Sequence, residues 1–374
     1  GKDFVYPDNF QDNIKNYLEL TGQTGEGKTL SSNTEASGRF HTDWLNMMYP
    51  RLKLARNLLR EDGVIFVSID DAEVAHLRVM ADEVYGPENL IAELVWEGAN
   101  KNDAKQVGIV HEYVLVYARN REHVSREWSL RKEGVAPVLA EVKRLVAVHG
   151  QNFETASKDL AGWFRAMKAT PSFGLRRFRY IDKRGVYKED DPTAPGGRRF
   201  ELRSPLTGAV IPLRDNRGWG FDQVEFDRLV AEERISFITE TSVMVRRYLH
   251  ETDSITPPSV FYQPARSASA RLATLMEGDV FDFPKDEQIL GKFLEMATDG
   301  GPNDEALVMD FFAGSGTTAH AALATNVLDQ GRRRYVLVQI PEPLDPENRE
   351  KRAGASYCDK LGKPRTIAEL TKER

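Results

Sequence analysis

The sequence predicts an α/β fold, divided in chain order by a mixed α+β insertion. Three observations carry this expectation. A strand, glycine turn and helix lie together near residue 310 of a 374-residue chain, late for a unit that usually opens its domain. Apolar runs of strand length accompany it and recur in the first third of the chain. Between the two groups, from about 119 to 255, apolar runs shorten while basic and aromatic residues interleave. The late glycine unit therefore follows either a separate domain or one domain whose chain order is permuted.

The elements follow in order. Trp44, Leu45, Met48, Leu52, Ala55, Leu58 and Leu59 recur at three- and four-residue steps, which predicts a helix over about 40–60 that Pro50 kinks or restarts. After the turn Glu61-Asp62-Gly63, the run Val64 to Ile69 reads as a buried strand ending in Asp70-Asp71. A helix from about 72 to 85 closes at Gly86-Pro87. Leu90 to Trp96 and Tyr113 to Tyr117 read as a strand pair joined by a polar loop with room for a functional insertion. The middle segment has turn formers at Asp190-Asp191-Pro192, Pro195-Gly196-Gly197 and Ser204 to Gly208.

Beyond Thr256-Pro257-Pro258 the α/β pattern resumes. Phe283-Pro284-Lys285 leads into a helix carrying Ile289, Leu290, Phe293, Leu294 and Ala297, with Pro284 near its first turn. Ala306 to Met309 reads as a buried parallel strand, Asp310 to Thr318 as a turn, and Ala319 to Ala324 as the helix after it. Small residues in such a turn let backbone N–H groups approach a nucleotide-like ligand at the helix N-terminus. The next strand, Tyr335 to Ile340, leads to Glu342. A carboxylate there either accepts the hydroxyl protons of a ribose or is a solvated loop charge. The expected division is 1–118, 119–255, 256–345 and a C-terminal segment, 346–374.

Composition bounds the function. The net charge of −6 argues against a uniformly basic nucleic-acid binder. Residues 119–253, however, carry 25 Lys and Arg against 20 Asp and Glu, so the positive charge is concentrated in the middle domain. The single cysteine, Cys358, excludes an internal disulfide and a cysteine-based zinc site, and suits a reducing cytoplasm. No apolar run is long enough to span a bilayer, and no membrane association is expected. The chain opens on Gly1-Lys2-Asp3-Phe4 without an initiator methionine, and the expectation is that it is part of a longer protein.

Three further stretches invite chemistry. Gly22 to Thr29 satisfies the phosphate-loop pattern, which would make the chain an ATPase through Lys28. The polar, helix-like residues before it and the loop formers Leu30 to Glu35 after it do not supply the strand and helix that such a loop joins. A flexible loop is expected instead. Phe173 to Tyr180 interleaves Arg176, Arg177 and Arg179 with aromatics, and Lys183, Arg184, Arg198 and Arg199 follow. This is either a surface for nucleic-acid phosphates and bases or a solvated strand face. Trp96 and Lys101, at the polar loop, either meet a ligand or, for Trp96, fill the core. His111 is given no ligand or base role.

Taken together, these runs resemble one family: the modification (Mod) subunit of type III restriction-modification systems, an S-adenosylmethionine-dependent DNA adenine-N6 methyltransferase. The resemblance covers nearly the whole chain. Ser37 to Leu52 and Asp62 to Asp71 resemble the family's helix and strand at the catalytic half. His111 to Ala118 is similar to its last sheet strand. Phe281 to Lys285 and Asp310 to Thr318 resemble its two cofactor motifs. Their order matches the permuted class, in which the cofactor half follows the target-recognition insertion.

The resemblance implies a three-layer, Rossmann-like methyltransferase fold, its sheet mostly parallel with one antiparallel strand beside the last hairpin, and S-adenosylmethionine as cofactor. Phe312, Ala313, Gly314, Ser315 and Gly316 would wrap it, with Thr317 and Thr318 at the helix start. Asp310 would order the turn or meet the amino group. Pro284 and Lys285 would close the pocket, Lys285 toward the carboxylate, and Glu342 would hold the ribose. It also implies duplex DNA as substrate with the target base flipped out, a restriction (Res) helicase-nuclease partner and a homodimer. The family's Asp-Pro-Pro-Tyr tetrapeptide, which aims the acceptor nitrogen, does not occur here, and Gly1 to Tyr6 resembles the sequence after it. No catalytic residue is therefore assigned, and the chain alone is expected to transfer no methyl groups. N4-cytosine methylation and a DNA-binding specificity module without activity remain alternatives.

Overall fold

A computed structural model of the protein describes residues 24–25, 28–29, 36–98, 105–167 and 170–374. It divides into two compact units, 1–128 with 256–374, and 129–255.

In the first unit, α1 (Ala36–Leu58) runs unbroken through Pro50. Proline supplies no backbone N–H there, and the nearby Met47 carbonyl accepts from the Arg51 guanidinium at 2.6 Å. β1 (Val64–Ile69), α2 (Val74–Tyr85), β2 (Leu90–Glu97) and β3 (His111–Ala118) follow. The last five residues of β3 are all buried, as a strand covered on both faces must be.

Alternation along β1 separates the two coverings. Ile65 joins Met48, Leu52 and Ala55 of α1 and Leu77, Met80 and Val84 of α2 in one core. Phe66, next in sequence, stacks on Phe293 with ring centres 5.1 Å apart. Helices thus cover both sides of the sheet, giving three layers. Tyr117 reaches through the α1–α2 side to donate to Asp82 at 2.6 Å.

The unit resumes with β4 (Val260–Tyr262), which pairs in parallel with β2; β3 pairs antiparallel with both β2 and β1, giving the order β4-β2-β3-β1. Helices α3 (Ala265–Leu275) and α4 (Glu287–Ala297) come next, the latter carrying Phe293. Asp286 caps α4 by accepting from Gln288 N at 2.8 Å, so Pro284 precedes the helix rather than lying in its first turn. A second parallel pair, β5 (Leu307–Asp310) and β6 (Arg334–Leu337), is joined by α5 (Thr317–Asp329), the crossover that parallel neighbours need.

The α/β class holds: β1, β2 and β4 run the same way, and β3, the second strand of the expected hairpin-like pair, is antiparallel to both β2 and β1. β5 is not fully buried as predicted: Leu307 and Met309 are 61% and 43% exposed, because two strands alone cannot cover both of their faces. Residues 346–374, expected as a separate segment, pack on this unit through α6 (Arg352–Lys360) and α7 (Ile367–Glu373). Leu344, Ala355, Cys358, Ile367 and Leu370 form their core, with Phe281 against it. Residues 119–128 also fall in the first unit, where Arg119 N donates to Gly63 O at 2.9 Å.

The second unit is α+β. Helices Val135–His149 and Phe153–Ala166 pack through Val138, Val142, Leu145, Ala156, Leu160 and Phe164. An antiparallel sheet orders Ile235–Thr239, Ser242–Tyr248, Gly185–Asp190 and Tyr180–Asp182 side by side. A second core gathers Leu202, Trp219, Phe226, Ile235 and Val245. No helix of the described residues is long and apolar enough to cross a membrane.

Candidate functional site

The glycine turn is held from within. Asp310, at the end of β5, accepts from Phe312 N at 3.0 Å through one carboxylate oxygen and from the Thr318 hydroxyl at 2.6 Å through the other. Of its two expected roles, ordering the turn is the one the geometry realises. Gly316 N closes the bend by donating to Ala313 O at 2.8 Å. Gly314 and Gly316 adopt φ of 50° and 78°, where a side chain is strained. A Cβ on Gly316 would also lie 2.9 Å from the Thr371 carbonyl oxygen. No side chain caps the start of α5, so its first N–H groups are left for a ligand.

The second predicted segment lies against this turn. Thr317 donates to the Lys285 carbonyl at 3.4 Å, and Phe281 Cζ comes 3.6 Å from where a Gly314 Cβ would stand. Pro284 is buried, while Phe283 before it is 83% exposed at a φ of 50°. The Lys285 ammonium is not free: it is bonded to Glu112 of β3 and lies 5.5 Å from the Trp96 ring centre. Trp96 is itself buried and donates to Gln263 O at 3.1 Å, so the core reading of this residue prevails.

Glu342 lies three residues beyond Gln339, whose side-chain oxygen accepts from Gly314 N at 2.7 Å. One Glu342 oxygen accepts from Lys351 at 2.8 Å. The other, Oε2, is buried and has no hydrogen-bond partner among the described residues. An orphaned buried acceptor of this kind is costly unless a ligand donates to it.

Sequence reasoning missed a network on the far side of the turn. Thr371 of α7 donates to Gly314 O at 2.5 Å. Arg374 donates through Nη1 to Ser315 Oγ at 2.8 Å and to Thr317 Oγ1 at 2.7 Å, and through Nε to His320 Nδ1 at 3.3 Å. Its Nη2 lies 3.4 Å from Glu287 Oε2. Burial, with Arg374 adding to it, holds the His320 imidazole below its ordinary range, which suits a neutral acceptor. Burial alone would raise Glu287, but hydrogen bonding from Arg271 lowers it on balance. Nothing local in the sequence marks Thr371 and Arg374, which lie more than fifty positions from the turn residues they bond.

The predicted basic residues of the second unit are all exposed, but differ in how they are held. Arg177, Lys183 and Arg198 are tied to Asp190, Glu233 and Asp222 at 2.9, 2.7 and 2.5 Å. Arg176 instead lies 4.6 Å from the Phe173 ring centre and Arg179 5.1 Å from that of Tyr180. Arg176, Arg179, Arg184 and Arg199 form no ion pair among the described residues. Lys101 lies outside those residues. Of the phosphate-loop pattern, Thr24 pairs with Thr29 and Gly25 with Lys28 in a two-residue antiparallel ladder, and its other positions lie outside the described residues.

The sequence model of the DNA methylase family matches residues 21–328. The chain belongs to the DNA methylase family. Within that family it is 32% identical over 395 aligned residues to the type III restriction-modification enzyme EcoP15I Mod subunit of Escherichia coli, covering 100% of this chain and 57% of that protein. It is 29% identical to the StyLTI Mod subunit of Salmonella typhimurium, covering 99% of this chain and 52% of the relative. The type II methyltransferase M.KpnI of Klebsiella pneumoniae is 25% identical over 81% of this chain and 68% of its own. The chain thus spans just over half the length of the Mod subunits it matches. In this DNA methylase the matched region contains both glycine-turn segments and the whole of the second unit.

Proposed function

We propose that this protein is the modification subunit of a type III restriction-modification system and methylates adenine N6 in duplex DNA. The observation that carries the reading is Glu342 Oε2, a buried acceptor without a donor among the described residues, placed after a glycine turn whose own carboxylate, Asp310, is already spent. Similarity that runs along this whole chain, and just over half of two Mod subunits, supports it. The cofactor is S-adenosylmethionine, which supplies an electrophilic methyl group on its sulfonium when bound.

The residues present fit that cofactor. Glu342 accepts from the ribose hydroxyls. The N–H groups of Thr317 and Thr318 at the start of α5 face the methionine end, where a helix N-terminus favours a carboxylate. Lys285 adds positive charge on exchanging Glu112 for the ligand. Pro284 and Ala313, both buried, exclude water. The second unit reads a short DNA site, Arg176 and Arg179 contacting phosphates or guanine edges, while the base is extruded for reaction. A restriction subunit and a second copy of the chain complete the assembly, in the cytoplasm.

Calorimetry with S-adenosylmethionine tests this directly, since Asp-Pro-Pro-Tyr is absent from these 374 residues and binding, not turnover, is the immediate readout. Saturable one-to-one binding that Glu342→Ala weakens is expected. No binding by the folded chain overturns the reading. In the longer protein, mass spectrometry of modified duplex DNA should find N6-methyladenine, and N4-methylcytosine would correct the base.

A further inference from the structure

The Arg374 guanidinium is placed where stability alone would not put it. Its side chain is 1% exposed, and it lies at the N-terminal end of α5, bonded to Ser315 and Thr317. A cation there opposes the helix dipole, whose positive end is the N-terminus. Burial also makes the charge costly, and burial and Arg271 together push the Arg374 group below the usual arginine range. Glu287 offsets part of that cost at 3.4 Å, but its other oxygen is already held by Arg271. Asp286 takes up the remaining Arg271 contact at 2.8 Å, so two cations face two carboxylates, with the Arg374 guanidinium the cation that reaches the glycine turn.

The same contacts fix hydroxyl directions. Ser315 Oγ and Thr317 Oγ1 lie 3.0 Å apart, and both accept from Arg374. With those lone pairs engaged, the Thr317 proton is directed to the Lys285 carbonyl, which ties the glycine turn to the Pro284–Lys285 segment. Arg374 thereby acts on both halves of the cofactor site from behind, through side chains that would not hold this geometry by themselves.

We infer that Arg374 is a positioning residue for S-adenosylmethionine, orienting Ser315 and Thr317 and placing a guanidinium at the turn toward which a ligand carboxylate is drawn. This inference rests on the cofactor reading above. It makes α7 part of the cofactor site, although no residue of α7 lies within the glycine turn or the Phe281–Lys285 segment.

Calorimetry on the 374-residue chain, with S-adenosylmethionine and its decarboxylated analogue as paired probes, tests it. Wild type should prefer the carboxylate-bearing ligand. Arg374→Met should weaken S-adenosylmethionine by about tenfold while leaving the decarboxylated analogue nearly unchanged, so the preference collapses. Arg374→Lys, which keeps the charge, should retain the preference, and serves if the methionine variant does not fold. Equal weakening of both ligands by Arg374→Met would make the role merely structural and overturn the inference, as would loss of the preference in a folded Arg374→Lys protein. Failure of wild type to bind either ligand would instead sink the cofactor reading, and this inference with it.

Discussion

Gln339 accepts the backbone N–H of Gly314 at 2.7 Å, so the segment after β6 holds the apex of the glycine turn that follows β5. Gln339→Leu removes that acceptor while keeping side-chain size. A buried or half-buried N–H left without a partner costs about 1–3 kcal/mol. S-adenosylmethionine affinity should fall by roughly tenfold in calorimetry, with the circular dichroism spectrum unchanged. Unaltered affinity would show that the turn keeps its shape without this bond.

Gly314→Asp should abolish cofactor binding. At φ 50° the backbone strains any side chain there, and a carboxylate would place negative charge beside the helix end that attracts an anionic ligand. Titration to millimolar cofactor with no heat above dilution is the expected result. Wild-type affinity in a folded variant would remove the turn from the site.

Arg333 is the side chain on which the base of α5 depends. Fully buried, it pairs with Asp304 at 2.8 Å and Asp329 at 2.7 Å, and donates to Thr298 at 2.8 Å. Arg333→Met strands two buried carboxylates and should destabilise the first unit by about 3–5 kcal/mol, read as a lowered denaturant midpoint. Cofactor affinity extrapolated to native conditions should change little.

The same pair predicts an acid limit. Burial would raise the Asp329 carboxyl, but hydrogen bonds from Arg333 and Gly331 N–H outweigh it and hold the group below its ordinary value. A depressed folded-state value stabilises above the unfolded pKa of about 3.9, and that stability disappears as pH falls through the folded value. Urea melts should therefore show stability falling below about pH 4, with a shallower fall in Asp329→Asn. Equal slopes in the two proteins would assign the acid loss elsewhere.

Arg176→Ala and Arg179→Ala should each weaken DNA binding. Each should also make the log–log dependence of affinity on salt shallower, by about 0.9 for every phosphate that the protein no longer neutralises. Arg177→Ala should matter less, because Asp190 already holds that guanidinium. Fluorescence anisotropy across a salt series separates these cases. Equal effects for all three would mean that the Asp190 pair opens on binding.

What the sequence revealed follows from the range of the forces involved. β1 runs from Val64 to Ile69 as expected, though only Ile65 of it is buried, because an apolar run broken only by Ser68 between Gly63 and Asp70 has few other places to go than a sheet. The glycine turn is legible because φ near 50–80° requires residues that declare themselves. The resemblance assigns Lys285 toward a ligand carboxylate, yet its partner is Glu112, 173 positions away, and no local pattern encodes that meeting. The link between Arg374 and Ser315, 59 positions apart, escapes sequence reasoning for the same reason. The half-open β5 reads as buried because an apolar run states what it would gain from cover, not whether cover is present.

The pairing of β4 with β2 has a consequence for how the protein is made. Val260 to Tyr262 align with Val95 to Glu97, so the edge of the four-stranded sheet waits for residues that follow the second unit in the chain. At about 5–20 residues per second, synthesis of the intervening stretch takes on the order of ten seconds. During that interval β1, β2 and β3 can associate by their own antiparallel ladders, but the outer edge of β2 stands bare on the ribosome. The second unit, whose cores are closed among its own residues, can fold meanwhile. Its folding speed then sets how long a nascent strand edge is open to pairing with the wrong chain.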